Sequence, residues 1–161
     1  MGITIQQGLT SSGGGPTLLT EQATTSGTTK DFTIPAGAKR VTVMINGVSL
    51  TSAAAPLGIQ LGDSGGIEAT GYVSTSQTSG TATASTTQFN VLLFGSSAHV
   101  ADGRMVLSRV NATHTWVASG IVTANSVVHV SAGVKTTSAE LTTVRLMGGT
   151  FDAGSVNVMW E

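Results

Sequence analysis

The string Gly62-Asp63-Ser64-Gly65-Gly66 has the residue types and spacing that come nearest to catalytic chemistry. It fits the G-x-S-x-G pattern, in which a serine on a sharp turn serves as a nucleophile, and it equals the string around the nucleophile of chymotrypsin-like proteases. Those proteases place their triad in the order His, Asp, Ser. Here His99, His114 and His129 all follow Ser64, so the chain order argues against a triad of that kind.

The hydrolase order Ser, Asp, His would be met by Ser64 and Asp102 with either His114 or His129. A nucleophile elbow, however, joins a strand to a helix, and residues 65–71 contain three glycines and start no helical pattern. We therefore predict a turn between two strands, in which Asp63 and Ser64 hydrogen-bond the local backbone. We predict no catalytic residue and no enzymatic activity.

The three histidines are the candidate metal ligands, and they are fifteen residues apart each time. This spacing offers no short-range pair of the kind that metal sites use. His129 lies between Val128 and Val130, so in a strand it points to the opposite face from both valines. We predict packed or surface histidines, and neither a metal nor a cofactor. One alternative stays open, in which three subunits each supply one histidine to an ion on their axis.

Carboxylates and aromatic side chains could together serve carbohydrate chemistry. Glycoside hydrolysis needs two carboxylates at a fixed separation, and the sequence alone does not exclude such a pair. A sugar-binding platform needs exposed aromatic side chains. Trp160 lies in a strand pattern and is expected in the core, whereas the position of Trp116 is left open. The carboxylates considered are Asp63, Glu68, Asp102 and Asp152.

The chain is poor in charge, with 9% charged residues in 161 and a net charge of −1, against about 25% charged residues in a typical domain. Its seven basic residues are scattered, and only Lys39 and Arg40 are adjacent. A nucleic-acid or membrane surface attracts clustered basic residues, so we expect neither partner. So little charge favours a surface that copies of the chain or other subunits cover.

The N-terminal segment has neither the basic region nor the apolar region of a secretory signal, and no apolar run approaches the length of a membrane span. Cysteine is absent, which excludes disulfides and thiolate metal sites. We predict an extended N-terminal arm over residues 1–29, rich in Gly, Ser and Thr, that becomes ordered only against a neighbour; the alternative is a frayed terminus. Its expected anchors are Ile3, Ile5, Leu9, Leu18 and Leu19.

From residue 30 onward the pattern predicts short strands. Residues 41–46, 57–61 and 156–160 alternate apolar with other residues, which is typical of strands with one buried face. A polar, low-complexity stretch over residues 74–87 is predicted to be a long surface loop or a mobile edge. Eight to ten short strands without helical periodicity predict an all-β fold, an antiparallel, jelly-roll-like β-sandwich over residues 30–161. Further strand candidates are residues 88–94, 105–110, 115–122, 127–134 and 141–147.

Several strings together resemble a known module. They are residues 32–44, 46–49, 59–68, 70–72 and 151–158, of which IQLGDSGGIE and FDAGSVNV are the more specific. This set resembles a β-sandwich module of tailed-bacteriophage virion proteins, often found at the C-terminal end of tail-fibre chains. The resemblance covers roughly residues 30–161, and in that context the GDSGG string is a turn.

The resemblance implies a structural virion protein that works through subunit contacts. In fibre proteins the module usually follows a long shaft, whereas here about 30 residues precede it. We therefore expect a small component such as a capsid decoration protein, a short head fibre or a tail accessory protein. The trimeric state of phage fibres and many decoration proteins implies a homotrimer, whose arm contacts other capsid or tail proteins. The alternative is a carbohydrate- or receptor-binding module of a tail fibre.

Overall fold

A computed structural model describes residues 15–110 and 112–161. These residues form fourteen β-strands and no helix. The strands are β1 Thr17–Leu18, β2 Gln22–Ala23, β3 Thr29–Thr33, β4 Arg40–Leu50, β5 Pro56–Asp63, β6 Gly66–Glu68, β7 Tyr72–Thr78, β8 Thr81–Ser85, β9 Phe89–Leu93, β10 Ala101–Arg109, β11 Thr115–Ala124, β12 Val127–Thr136, β13 Thr143–Met147 and β14 Phe151–Trp160.

The described strands make two antiparallel sheets that pack face to face. The larger sheet has nine strands in the order β1-β14-β4-β10-β11-β12-β7-β8, with β2 also paired to β14. The smaller sheet has five strands in the order β3-β13-β5-β6, with β9 also paired to β5. The chain passes repeatedly from one sheet to the other. The prediction of an all-β, antiparallel β-sandwich is confirmed.

The core lies between the sheets, where the alternating apolar residues point. Val41, Val43 and Val158 are fully buried, as their period-2 patterns predict. In β5 the opposite face is buried as well, because residues 87 and 88 cover it. Gln60 donates a hydrogen bond to the carbonyl of Thr87 at 3.0 Å, and a Cβ on Gly58 would lie 2.3 Å from the Gln88 side chain. Glycine at position 58 therefore makes room for Gln88.

The described part of the predicted arm pairs with its own chain. Thr17 and Leu18 lie opposite Trp160 and Met159 of β14, and β2 lies opposite Val156 and Ser155 of the same strand. The expectation that this part becomes ordered only against a neighbour is therefore wrong, because β14 offers its free edge inside the same molecule. The predicted anchors Ile3, Ile5 and Leu9 lie outside the described residues.

The polar stretch at residues 74–87 forms a hairpin at the edge of the larger sheet. β7 and β8 pair in continuous register from Ser74 opposite Ser85 to Thr78 opposite Thr81. Ser79 and Gly80 make the turn with φ of 43° and 84°, the left-handed values that a tight hairpin of this type requires. The prediction of a surface loop was wrong here, whereas the placement at an edge was correct. Thr residues suit a strand, and the Ser-Gly turn sets the register.

Candidate functional site

The GDSGG string forms the turn of the β5–β6 hairpin. Asp63 lies opposite Gly66, and its carboxylate accepts hydrogen bonds from the backbone N–H groups of Gly65 at 2.7 Å and Ala139 at 2.8 Å. Ser64 is exposed at the tip, and strand β6 follows it. The predicted turn is confirmed, and it lacks the strand-to-helix geometry of a nucleophile elbow.

Three polar side chains beside this turn connect the two sheets. Glu68 at the end of β6 forms an ion pair with Lys135 of β12, and both side chains are largely buried. The Lys135 ammonium also lies 5.4 Å from the centre of the Tyr72 ring. The Tyr72 hydroxyl accepts a hydrogen bond from the Leu61 N–H at 2.7 Å and donates one to the Glu68 carbonyl at 2.9 Å. Elements of both sheets therefore meet in one hydrogen-bonded cluster.

The cluster shifts the ionisation of its own members. Burial raises the pKa of Glu68, but hydrogen bonds from Lys135 and from the Ser138 N–H outweigh it, so the pKa lies below its ordinary value. Burial raises the pKa of Tyr72 to about 12, which keeps its hydroxyl protonated and able to donate. These shifts favour a fixed structural pair with a charged carboxylate, since a general acid at neutral pH needs a raised carboxyl pKa.

The structure brings two of the three histidines near each other. His129 points between the sheets, and burial together with the proximity of His99 lowers its pKa. Its ring borders a cavity of about 110 Å³ under the β7–β8 hairpin, lined also by Ser76, Thr83 and Leu93. His114 lies apart, with its Nδ1 3.2 Å from the guanidinium of Arg109. Within residues 15–110 and 112–161, no group of three or more His, Asp or Glu side chains could hold a metal ion.

The candidate carboxylates are engaged separately, mostly by backbone donors. Glu68 accepts a hydrogen bond from the Ser138 N–H at 2.6 Å, and Asp102 accepts one from the Gly47 N–H at 2.7 Å. Asp152 accepts one from the Ser49 hydroxyl. The Asp63 carboxylate accepts one hydrogen bond from the backbone of its own turn and one from the backbone that precedes β13. Asp63, Glu68, Asp102 and Asp152 thus hold loops and bulges in place.

All seven aromatic residues of the chain lie in the described part, and none of them is exposed. Trp116, whose position the sequence left open, is 1% exposed. Trp160 is half-buried and packs against the core. Tyr72 and Phe89 meet edge to face, with ring centres 5.1 Å apart. None of the seven therefore offers the exposed aromatic platform that a sugar-binding site needs.

The outer side of the larger sheet carries a continuous surface without charge, which we call the uncharged face. Ile121 is 61% exposed and lies opposite Val130, which is 48% exposed. Val117, Val134 and Val73 line up across three adjacent strands. The uncharged face consists of Val117, Ser119, Ile121 and Thr123 of β11, Val128, Val130, Ala132, Val134 and Thr136 of β12, Val73, Thr75 and Gln77 of β7, and Ala82 and Ala84 of β8.

A groove of about 630 Å³ borders the uncharged face on the side of β10 and β4. Its walls include Met44, Arg104, Val106 and Ile121. Arg104 lies opposite Ile121, and Asp102 lies two residues before it, so charge begins where the uncharged face ends. The groove is thus an apolar depression with one cation at its rim.

Sequence reasoning missed this surface, although a signal for it was present. Residues 69–101 and 110–134 contain no Lys, Arg, Asp or Glu, and these two intervals supply β7, β8, β11 and the part of β12 that precedes Lys135. Because low charge was interpreted as a property of the whole chain, the gathering of uncharged residues on one face was not predicted. Only the pairing of β12 with β7 brings the two intervals together.

No family model matches the sequence. Searches among curated proteins and solved structures also find no significant match. In the described part of the chain, no helix is long and apolar enough to cross a membrane.

Proposed function

We propose that this chain is a structural virion component of a tailed bacteriophage, such as a capsid decoration, short head fibre or tail accessory protein. In this proposal it works through contacts with other subunits and not through a catalytic site. The observation that carries the proposal is the uncharged face, in which large aliphatic side chains stand exposed across the three adjacent strands β11, β12 and β7. Contiguous apolar patches of this kind are typical of interaction sites.

The size of the uncharged face supports this role. Its strands have 10, 10, 7 and 5 residues, and strands lie about 4.8 Å apart with a rise of about 3.3 Å per residue, so the face covers on the order of 500 Å². The largest apolar patch of a typical monomer reaches about 300–600 Å² and is often functional. The low charge of the chain and the phage-module resemblance of residues 30–161 point the same way.

The alternative is a carbohydrate- or receptor-binding module of a tail fibre. Sugar sites commonly stack a ring on an exposed aromatic side chain, and every aromatic residue here is buried or half-buried. The uncharged face offers Val and Ile side chains together with Thr hydroxyls, which suits a dry protein contact better than a sugar. The geometry therefore favours the structural role.

Immunogold electron microscopy of the phage particles tests the proposal. An antibody against this chain should label the capsid or the tail at regular positions, and the chain should co-purify with intact particles. Particles that lack the chain would overturn the proposal. Binding of the purified protein on a glycan array would favour the alternative.

Two variants separate the structural role from its competitors. Deletion of residues 1–20 removes β1, and we expect the sandwich to stay folded while attachment to the particle weakens. Labelling by a serine-directed fluorophosphonate that disappears in Ser64→Ala would instead indicate a hydrolase. Ser155→Ala, a serine in strand β14, is the matched control for that labelling.

A further inference from the structure

We infer that a second copy of this chain covers the uncharged face. This inference rests on the proposed function, because it names the partner for a surface that the proposal assigns to subunit contact.

The distribution of charge is the first argument for a second copy. Two identical chains carry identical charges, so in a contact between equivalent surfaces the residues near the two-fold axis meet their own copies, and like charges there repel each other. The outer side of the smaller sheet carries Asp31 and Arg145, which form a two-bond ion pair at 2.6 and 2.7 Å. The other half of the larger sheet carries Arg40, Asp102 and Arg104. The uncharged face is the extended part of the described surface that two copies can share without repulsion.

The open edge beside this face is the second argument. Thr78 and Thr81 close a two-residue hairpin as a hydrogen-bonded pair, so the N–H and C=O groups of Ala82 and Ala84 point away from β7. Soluble proteins protect such edges with charges, prolines or bulges, and β8 has none of these. At the opposite side of the sheet, β1 and β2 cover the edge of β14.

The available area is the third argument. The uncharged face offers about 500 Å² on each copy, so two copies bury on the order of 1,000 Å² in total, which is the lower bound for a specific interface. A face that meets its own equivalent on a second copy forms an isologous contact.

Sedimentation velocity on the full-length protein tests the inference with paired variants. Val130→Lys places a cation on the uncharged face, and Val110→Lys makes the same change at a valine that is 59% exposed but lies off the face, beside Lys39 and Arg109. We expect the wild type and Val110→Lys to sediment as oligomers. We expect Val130→Lys to raise the dissociation constant at least about 100-fold, because the contact would bury an unpaired charge. Circular dichroism should show the same strand content in all three proteins.

Three outcomes would overturn the inference. A wild-type monomer at about 50 µM would do so, and regular immunogold labelling of the particle would then leave the proposed function standing. The second outcome is an oligomer that stays intact in Val130→Lys but dissociates in Ala84→Pro. This result would place the contact at the β8 edge. A monomer whose particle binding is lost in Val130→Lys would assign the face to another virion protein.

Discussion

The ammonium of Lys135 on β12 forms an ion pair with the carboxylate of Glu68 on β6, which joins the larger sheet to the smaller one. The two side chains are only 7% and 17% exposed. Tyr72 completes the link, since its ring faces the ammonium and its hydroxyl bonds the backbone of Glu68. The pair thus holds the two layers together at one end of the sandwich.

Glu68→Gln should lower the free energy of unfolding by about 2–3 kcal/mol. Removal of one partner from a buried pair costs about 3–5 kcal/mol, and the partial exposure of Glu68 reduces that figure. Urea denaturation measures the change. Asp31→Asn breaks the exposed pair with Arg145 and should cost less than about 1 kcal/mol. Equal losses of unfolding free energy in Glu68→Gln and Asp31→Asn would contradict a larger stabilising contribution from the buried pair between the sheets.

Acidification should weaken the fold through the same carboxylate. The pKa of Glu68 is lower in the folded protein than its ordinary value of 4.5, so the unfolded chain binds the proton more readily. Its stabilising contribution is therefore complete above pH 4.5 and is lost as the pH falls through the folded pKa. Urea midpoints between pH 6 and pH 3 should fall more steeply in the wild type than in Glu68→Gln. Parallel curves of urea midpoint against pH for the two proteins would show that other titratable groups dominate the loss of stability in acid.

Gly154→Ala should destabilise the protein by at least about 3 kcal/mol. The φ of Gly154 is +90°, and a Cβ there would lie 2.3 Å from the carbonyl carbon and oxygen of Gly47. Left-handed strain costs about 1–3 kcal/mol, and the overlap with backbone adds to it. Gly27 has a φ of +77° with nothing within 4 Å of such a Cβ, so Gly27→Ala should cost only about 1–2 kcal/mol. Thermal unfolding of both variants gives the comparison.

Ser126→Gly should stabilise the protein by roughly 0.5–1 kcal/mol. Asn125 and Ser126 form the two-residue turn between β11 and β12 with φ of 50° and 61°, and Asn-Gly is the preferred pair for such turns. Glycine at position 126 removes the left-handed strain of the folded turn. The additional conformational entropy that glycine gives the unfolded chain offsets only part of this gain. Thr123→Gly, at an extended position of β11, should instead lose about 1 kcal/mol. A lower melting temperature for Ser126→Gly would refute the turn assignment.

The turn at Asp63 and the strands at residues 41–46 and 156–160 could be predicted because their causes are local. An Asp followed by Ser-Gly-Gly closes a tight turn through bonds over two residues. Alternation of side chains marks a strand whatever its partners are. By contrast, the pairing of residues 17–23 with β14 depends on an edge more than 130 residues away in the chain, and no local pattern reports it.

The alternation around His129 shows how far the sequence alone determines the structure. The sequence by itself determined that His129 lies on the opposite side of β12 from Val128 and Val130. Hydrophobicity would place the valines in the core, yet the structure turns His129 inward and leaves Val128 and Val130 exposed. Only the packing of the second sheet decides which side of a strand is covered, because that sheet is built from distant parts of the chain. The same packing brought Glu68 to Lys135 and gathered the uncharged intervals into one face.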